Sequence, residues 1–251
     1  MRVKIVKRLR SKRVWIGLCV ALVFALVIGA IVAVKHDHEQ RTAAVTAQYA
    51  AAKKLATTAT SSSESLSRIE RLTALSNLAN TSVPAVEKCE GDWWSTRYAN
   101  VLPSAGEDRV ACKRQLEQLR SVAKIATQFN VYLIDDQKVA AAIKVITPTT
   151  AKDDWQTAAL SSADSALRDV EAIAVTEDNK KVIAAATSVL NEIISAWAAL
   201  NTADKKEDKS AYIAAKTALE DAYAGIGAVS DASDEQVVQL AARFNAQAQK
   251  L

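Results

Sequence analysis

The stretch VIAAATSVLNEIISAWAAL, residues 182–200, decides the fold class of this chain. Alanine, leucine and glutamate, all strong helix formers, make up much of it. Its apolar residues recur with the period of an α-helix and form one stripe: Val182, Ala186, Val189, Ile193, Trp197 and Leu200. The stripe predicts a core helix that is covered by neighbouring helices along this face.

The sequence on both sides of this stretch predicts three further amphipathic helices. Residues 155–173 and 212–226 carry stripes of the same period, and so do residues 237–248 through Val237, Ala241, Phe244 and Ala248. The last helix is expected to open near SDASDE, residues 230–235, because acidic residues favour a helix start. Residues 163–173 also resemble 215–226, which indicates either a duplicated helical hairpin or a shared alanine-rich composition.

The upstream half of the chain is helical by the same criteria. Residues 107–133 have an apolar face wide enough for two neighbours, and a capping-box pattern from Ser61 to Glu64 opens another helix. Prolines and glycines beyond residue 34 fall between these segments, and no segment alternates as a strand does. We therefore expect an all-α bundle of about six to eight helices over residues 61–251, preceded by a helical stalk at 35–60.

The N-terminal 34 residues have the composition of a membrane anchor. MRVKIVKRLRSKR, residues 1–13, holds seven Lys or Arg and no acid, and the next 21 residues, VWIGLCVALVFALVIGAIVAV at 14–34, carry no charge. A helix of this length spans the hydrocarbon core of a bilayer, about 30 Å. A cleaved signal peptide is the alternative, but its apolar region is shorter and ends in a small-x-small site. The sequence predicts a single transmembrane helix at 14–34.

The charge distribution predicts how this helix is oriented. Lys and Arg next to a transmembrane helix stay in the cytoplasm, so the tail at 1–13 is expected inside, on anionic lipids of a plasma (inner) membrane, and the rest outside. The formal net charge is +4, with +7 from the tail and −3 from the remainder. An acidic body argues against nucleic-acid binding.

The stretch CEGDWWSTRYANVLPSAGEDRVAC, residues 89–112, is richest in residues typical of binding sites. Cys89 and Cys112 fall on the predicted extracytoplasmic side, where disulfides persist, so we expect one disulfide. Trp93, Trp94, Arg97 and Tyr98 form two adjacent faces of a short helix and are the candidate binding surface. The alternative is that the tryptophans fill the core and cover the disulfide.

No residue pattern indicates catalysis, a metal or a cofactor. The only histidines are His36 and His38, which are two apart and so point to different faces of a helix. The acid pairs Glu107/Asp108, Asp135/Asp136 and Asp153/Asp154 are expected at helix starts, where negative charge opposes the helix dipole. Phosphate-loop, nucleophile-elbow and Cys-x-x-Cys patterns are absent from the sequence.

Three functions are consistent with these patterns. The first is a single-pass, membrane-anchored, outward-facing helical interaction or scaffold protein of the cell envelope, without catalytic activity and with a protein partner. The second is a module that binds an envelope glycan or small ligand at the Trp93/Trp94 pair. The third is a carboxylate-based envelope hydrolase. Exposure of Trp93 or Trp94 beside a cleft would favour the second over the first.

Overall fold

The computed structural model describes residues 2–61, 68–78, 89, 103–146 and 155–251. These residues are almost entirely helical and include no strand, which confirms the all-α prediction. Residues 68–78 are helical, and six further helices are α1 (Arg2–Ser61), α2 (Pro103–Val145), α3 (Trp155–Glu171), α4 (Lys180–Lys205), α5 (Lys209–Ala224) and α6 (Ile226–Ala248).

Helix α1 continues without a break through the predicted tail, membrane segment and stalk. Seven large apolar side chains between Leu22 and Val32 are exposed, with Leu26 the most exposed at 68 %. Further along, one side of the helix is covered, at Val45, Ala52, Ala56 and Ala59. The exposed and the packed parts of α1 therefore belong to one continuous helix, and the predicted boundaries at 13/14, 34/35 and 60/61 all fall inside it.

Two helices among the described residues are long and apolar enough to cross a membrane by length and composition. One lies within α1, at Ala21–Ala59, and none of its most apolar window is buried in the protein. The other is α4, and 44 % of its most apolar window is buried in the protein. A core helix of a soluble domain has the same composition, so the packing of α4 accounts for its apolar character without a membrane.

The chain divides into two compact units. Unit 1 comprises Met1–Lys53, Leu78–Arg120 and Leu251. In it, Tyr49 donates a 3.2 Å hydrogen bond to Oε1 of Gln118, and Nζ of Lys53 donates to the backbone oxygen of Leu251 at 3.0 Å. Its buried residues include Val45, Ala52, Cys89, Cys112, Leu116 and Leu119.

Unit 2 comprises Lys54–Asn77 and Ser121–Lys250. Helix α4 lies at its centre and packs along α3 and α5, and over a shorter length along α6. Every residue of the stripe predicted at 182–200 is buried, and Trp197 is 2 % exposed. Helices α5 and α6 barely touch each other, in contrast to α3 and α4. The two segments that resemble each other in sequence are therefore not packed as equivalent hairpins.

Helix α2 is longer than the sequence analysis predicted. The segment from Pro103 to Gly106 was expected to be a turn before a helix at 107–133, but Pro103 is the first helical residue. Proline suits this position because its fixed φ is helical and its missing N–H would have no partner there. Between Gly106 and Pro148 the sequence contains neither glycine nor proline, so nothing ends the helix before Val145.

Helix α6 begins earlier than predicted. Residues 230–235 lie inside it, and the break from α5 occurs at Gly225. A Cβ at Gly225 would lie 3.2 Å from a methyl of Val189, so glycine permits a close approach of this corner to α4. The buried residues of α6 are Val229, Gln236, Leu240 and Phe244, so Phe244 alone of the predicted stripe of Val237, Ala241, Phe244 and Ala248 is buried.

The turn between α4 and α5 is formed by three residues. The backbone N–H groups of Glu207 and Asp208 donate to the carbonyl oxygens of Asp204 and Ala203, the hydrogen-bond pattern of a Schellman motif. Glu207 occupies its left-handed position with φ of 54°. The Asp208 carboxylate then accepts from the N–H groups of Ser210 and Ala211 and caps α5.

Candidate functional site

The predicted binding surface of Trp93, Trp94, Arg97 and Tyr98 lies outside the described residues, so it stays a prediction. Its two flanking cysteines are described. Cys89 and Cys112 are buried, their sulfur atoms lie at disulfide-bonding distance, and their Cα atoms are 5.9 Å apart, within the range of natural disulfides. The pairing predicted from cysteine usage is therefore consistent with the geometry of unit 1.

The described residues contain an open groove in unit 2 between α2 and α6. The two helices run antiparallel, because Gln128 contacts Arg243 while Asp136 contacts Ser233. The groove has a volume of about 420 Å³, in the range of small-molecule sites. The sequence did not predict this groove. It placed the buried face of α6 one residue away from the observed face, and it predicted that α2 ends at residue 133.

Each helix presents one face to the groove. Helix α2 contributes Asp136, Val139, Ala140, Ile143 and Lys144, a set with the i, i+3, i+4, i+7, i+8 spacing of a single helical face. Val139 is buried and Ile143 half-buried, so they form the floor, whereas Ala140 and Lys144 are exposed at the rim.

The α6 face has the same spacing and completes the walls. It contributes Ile226, Val229, Ser230, Ser233 and Asp234. Val229 is buried and Ile226 half-buried, so the floor is apolar on this side as well. Because the helices are antiparallel, Asp136, Ser233 and Asp234 meet at one end and Lys144 lies with Ile226 at the other. The groove is acidic at one end, basic at the other and apolar between.

A hydrogen-bonded cluster fixes the acidic end. The Ser233 hydroxyl donates to Oδ1 of Asp136, and the Tyr132 hydroxyl is within 3.3 Å of the Ser233 carbonyl and 3.4 Å of its hydroxyl oxygen. Tyr132 is 2 % exposed, and burial, with smaller contributions from the Asp136 and Asp234 charges, raises its pKa to about 12. The phenol therefore stays neutral at physiological pH.

A second polar cluster in unit 2 has a structural role. Asp135, 7 % exposed, accepts a 3.0 Å hydrogen bond from Nδ2 of Asn179 and pairs with Lys138 at 3.1 Å. Asn179 also donates to the carbonyl of Ala174 and accepts from the N–H of Thr176. The expectation that Asp135/Asp136 begins a helix is wrong, since both residues lie well inside α2. Asp135 instead holds the α3–α4 loop.

The groove has groups that bind ligands but lacks an activated nucleophile. The Ser233 hydroxyl is next to a carboxylate and not to an imidazole, which is the usual base for a serine nucleophile. The described part of the chain contains no group of three or more His, Cys, Asp or Glu placed to hold a metal ion. Nε2 of His36 lies 3.1 Å from the side-chain nitrogen of Gln40, one turn further along α1.

Comparison with known proteins gives no relative from which a function can be inferred. No family model matches the chain, and neither a curated protein nor a solved structure matches it significantly.

Proposed function

We propose that this protein is a single-pass, membrane-anchored, outward-facing helical interaction protein of the cell envelope. The observation that carries the proposal is the exposed apolar segment of α1. Leu22, Phe24 and Leu26 are each more than half exposed, on a helix whose later residues are packed against the rest of unit 1. Soluble proteins rarely leave an apolar surface of this extent in water, whereas a bilayer covers it.

The basic tail supports both the anchoring and its direction. Its seven Lys and Arg residues precede the apolar segment directly, and they favour retention on the cytoplasmic side next to anionic lipids. With the tail inside, the remaining part of the chain faces outward, which is also the compartment where the Cys89–Cys112 pair is stable as a disulfide.

The proposed interaction role rests on the structure of the outward-facing part of the chain, beyond residue 34. It is helical in the described residues, and it carries a groove with separated charges but no described catalytic constellation. A body of this kind is suited to holding a partner at the membrane surface. The Trp93/Trp94 ligand module and the carboxylate hydrolase stay alternatives from the sequence, and no described contact favours either.

Membrane fractionation of paired arginine variants tests the anchor. Phe24→Arg with Val27→Arg places two charges near the centre of the apolar segment, and each costs about 3 kcal/mol at the middle of a bilayer. We expect this variant to be released by an alkaline carbonate wash that leaves the wild type in the membrane. The matched control is Ile213→Arg with Val238→Arg, which replaces two other exposed apolar residues outside this segment and should stay bound.

Two results would contradict the proposal. Release of the wild type by the same wash would show that α1 does not anchor the chain, and retention of the Phe24/Val27 variant would place the anchor elsewhere. Protease added to spheroplasts then tests the direction, since the part beyond residue 35 should be digested while a tag at the N-terminus is protected. Digestion of the tag alone would reverse the topology.

A further inference from the structure

We propose that the groove between α2 and α6 binds a short peptide of three to four residues with free termini and an apolar middle. The peptide's ammonium group lies at the Asp136–Asp234 end and its carboxylate at the Lys144 end. The groove lies within unit 2, so the inference does not depend on membrane anchoring.

The charge separation along the groove determines the class of ligand. Asp136 and Lys144 are eight residues apart on one face of α2, which is about 12 Å at 1.5 Å per residue. Within the described residues, neither Asp234 nor Lys144 has a salt-bridge partner, and both are exposed. A ligand with a cation and an anion about 12 Å apart would neutralise both ends, whereas a singly charged ligand would leave one end unpaired.

The length and floor of the groove match an extended peptide. A fully extended chain spans at most about 3.5 Å per residue, so three to four residues reach from one charged end to the other. Between the ends, the floor of Val139, Ile143 and Val229 favours apolar side chains over polar ones. A volume of about 420 Å³ accommodates a molecule of this size.

A helix from another protein fits this groove less well. The charged ends of the groove are only about two helical turns apart. This distance is shorter than the contact length of a stable helix pair. Side chains of a passing helix would also have to supply an ammonium and a carboxylate at the two ends, which a short zwitterionic peptide has at its termini. A short peptide would need both free termini to bind in this way, whereas a helix of another protein would not.

Titration of the full-length protein in detergent micelles with matched peptides tests the proposal. The probes are trivaline and tetravaline, their N-acetylated forms and their C-terminal amides. We expect saturable binding of a free peptide by calorimetry, and binding that is weaker by up to about fivefold when either terminus is blocked, the upper end for one exposed ion pair. Equal affinity for free and blocked peptides would overturn the proposal, as would no binding up to about 10 mM.

Two variants locate the ends of the ligand. Asp234→Asn should weaken binding of the free peptide by up to about fivefold and abolish the further effect of N-acetylation, and Lys144→Met should do the same for C-terminal amidation. The matched controls are Asp204→Asn and Lys205→Met, exposed residues of α4 in the same unit, which should bind as the wild type does. Loss of affinity in the controls, or unchanged affinity in the groove variants, would contradict the assignment.

A chemical-protection measurement gives an independent readout of where the peptide lies. Ala140 is exposed at the rim of the groove, so Ala140→Cys in a Cys19→Ser background places a reactive thiol there. Trivaline at saturating concentration should slow maleimide labelling at residue 140 severalfold, as read by mass spectrometry. The blocked peptide should slow it less at the same concentration. Labelling that is unaffected by bound peptide would place the ligand elsewhere.

Discussion

Asp135 and Asn179 are single residues that join α2 to the loop before α4. Both are buried, and their 3.0 Å hydrogen bond links side chains 44 residues apart in the chain. The sequence indicated neither role. Asp135 lies next to Asp136, and adjacent acids are typical of a helix start, but the strong helix formers that surround them continue the helix on both sides. Burial of a polar residue depends on its partner in the fold, which local patterns do not reveal.

The buried phenol of Tyr132 makes the stability of the protein depend on pH. Its pKa of about 12 in the folded protein exceeds the ordinary value of 10, mainly because the phenol is buried. Its contribution to stability is therefore fully present below pH 10 and is lost as the pH rises through 12. We expect the wild type to lose about 2 kcal/mol more than Tyr132→Phe between pH 8 and pH 12. Denaturant unfolding at several pH values measures this difference.

Comparison of the wild type with Tyr132→Phe separates the effect of the Tyr132 phenol from that of every other ionisable group. All other residues are the same in both proteins, so only the phenol of Tyr132 distinguishes the two curves. At pH 8 the variant should be destabilised by no more than about 1 kcal/mol, because the hydrogen bonds to Ser233 are long. Parallel loss of stability in both proteins above pH 10 would show that Tyr132 is not buried as described.

At the scale of elements, the apolar stripe of α4 predicts its buried face, whereas the stripe predicted for α6 is right only at Phe244. The α4 stripe is continuous from Val182 to Leu200, and further buried apolar residues such as Ile183 and Leu190 lie beside it. In α6 the predicted face included Val237 and Ala241, but Gln236 and Leu240 are buried instead. Because Gln236 is polar and Ala241 apolar, residue type alone favours the wrong face. Contacts of Tyr132 and Phe129 with Ser233 and Phe244 indicate how α6 faces α2.

The turn after α4 predicts a stabilising substitution. Glu207 has a left-handed backbone that costs a non-glycine residue about 1–2 kcal/mol, and its side chain is exposed. We expect Glu207→Gly to raise the free energy of unfolding by about 0.5–1 kcal/mol, because the strain removed exceeds the added freedom of the unfolded chain. Urea denaturation of the variant and the wild type measures the change.

The neighbouring residue is a matched control for this substitution. Lys206 has φ of −92°, an ordinary right-handed conformation, so Lys206→Gly relieves no strain and should lower stability by about 0.5–1 kcal/mol. Glu207→Ala retains the left-handed strain and should give no gain. If both glycine variants change stability in the same direction, the left-handed assignment at residue 207 is wrong.

At the scale of the whole molecule, the sequence predicted the helical class but not the division into two units. The sequence predicts a membrane boundary near residue 34, whereas the chain passes between the two units inside helices, at Lys53/Lys54 in α1, at Asn77/Leu78 in the helix at 68–78 and at Arg120/Ser121 in α2. Composition changes at residue 34 because the apolar segment ends there. It does not change at residues 53 and 120, where only tertiary contacts differ, so no local signal marks these boundaries.

Reduction of the Cys89–Cys112 pair should affect the two units unequally. Both cysteines belong to unit 1, and a cross-link over 23 residues is worth about 3 kcal/mol in the chain-entropy model. We expect reductant to accelerate amide hydrogen exchange in residues 112–120, by up to about a hundredfold where exchange requires unfolding of unit 1. Residues 190–200 of α4, in the core of unit 2, should exchange as before. Exchange measured by mass spectrometry on the oxidised and reduced protein distinguishes these regions.

The double variant Cys89→Ser with Cys112→Ser completes the test, because it lacks the bridge under all conditions. Its residues 112–120 should exchange as fast as those of the reduced wild type, and reductant should not change them further. Equal acceleration in both units would show that the bridge stabilises the molecule as one cooperative body. No acceleration in either would mean that unit 1 is held by its packing at Val45, Leu116 and Leu119, with no contribution from the cross-link.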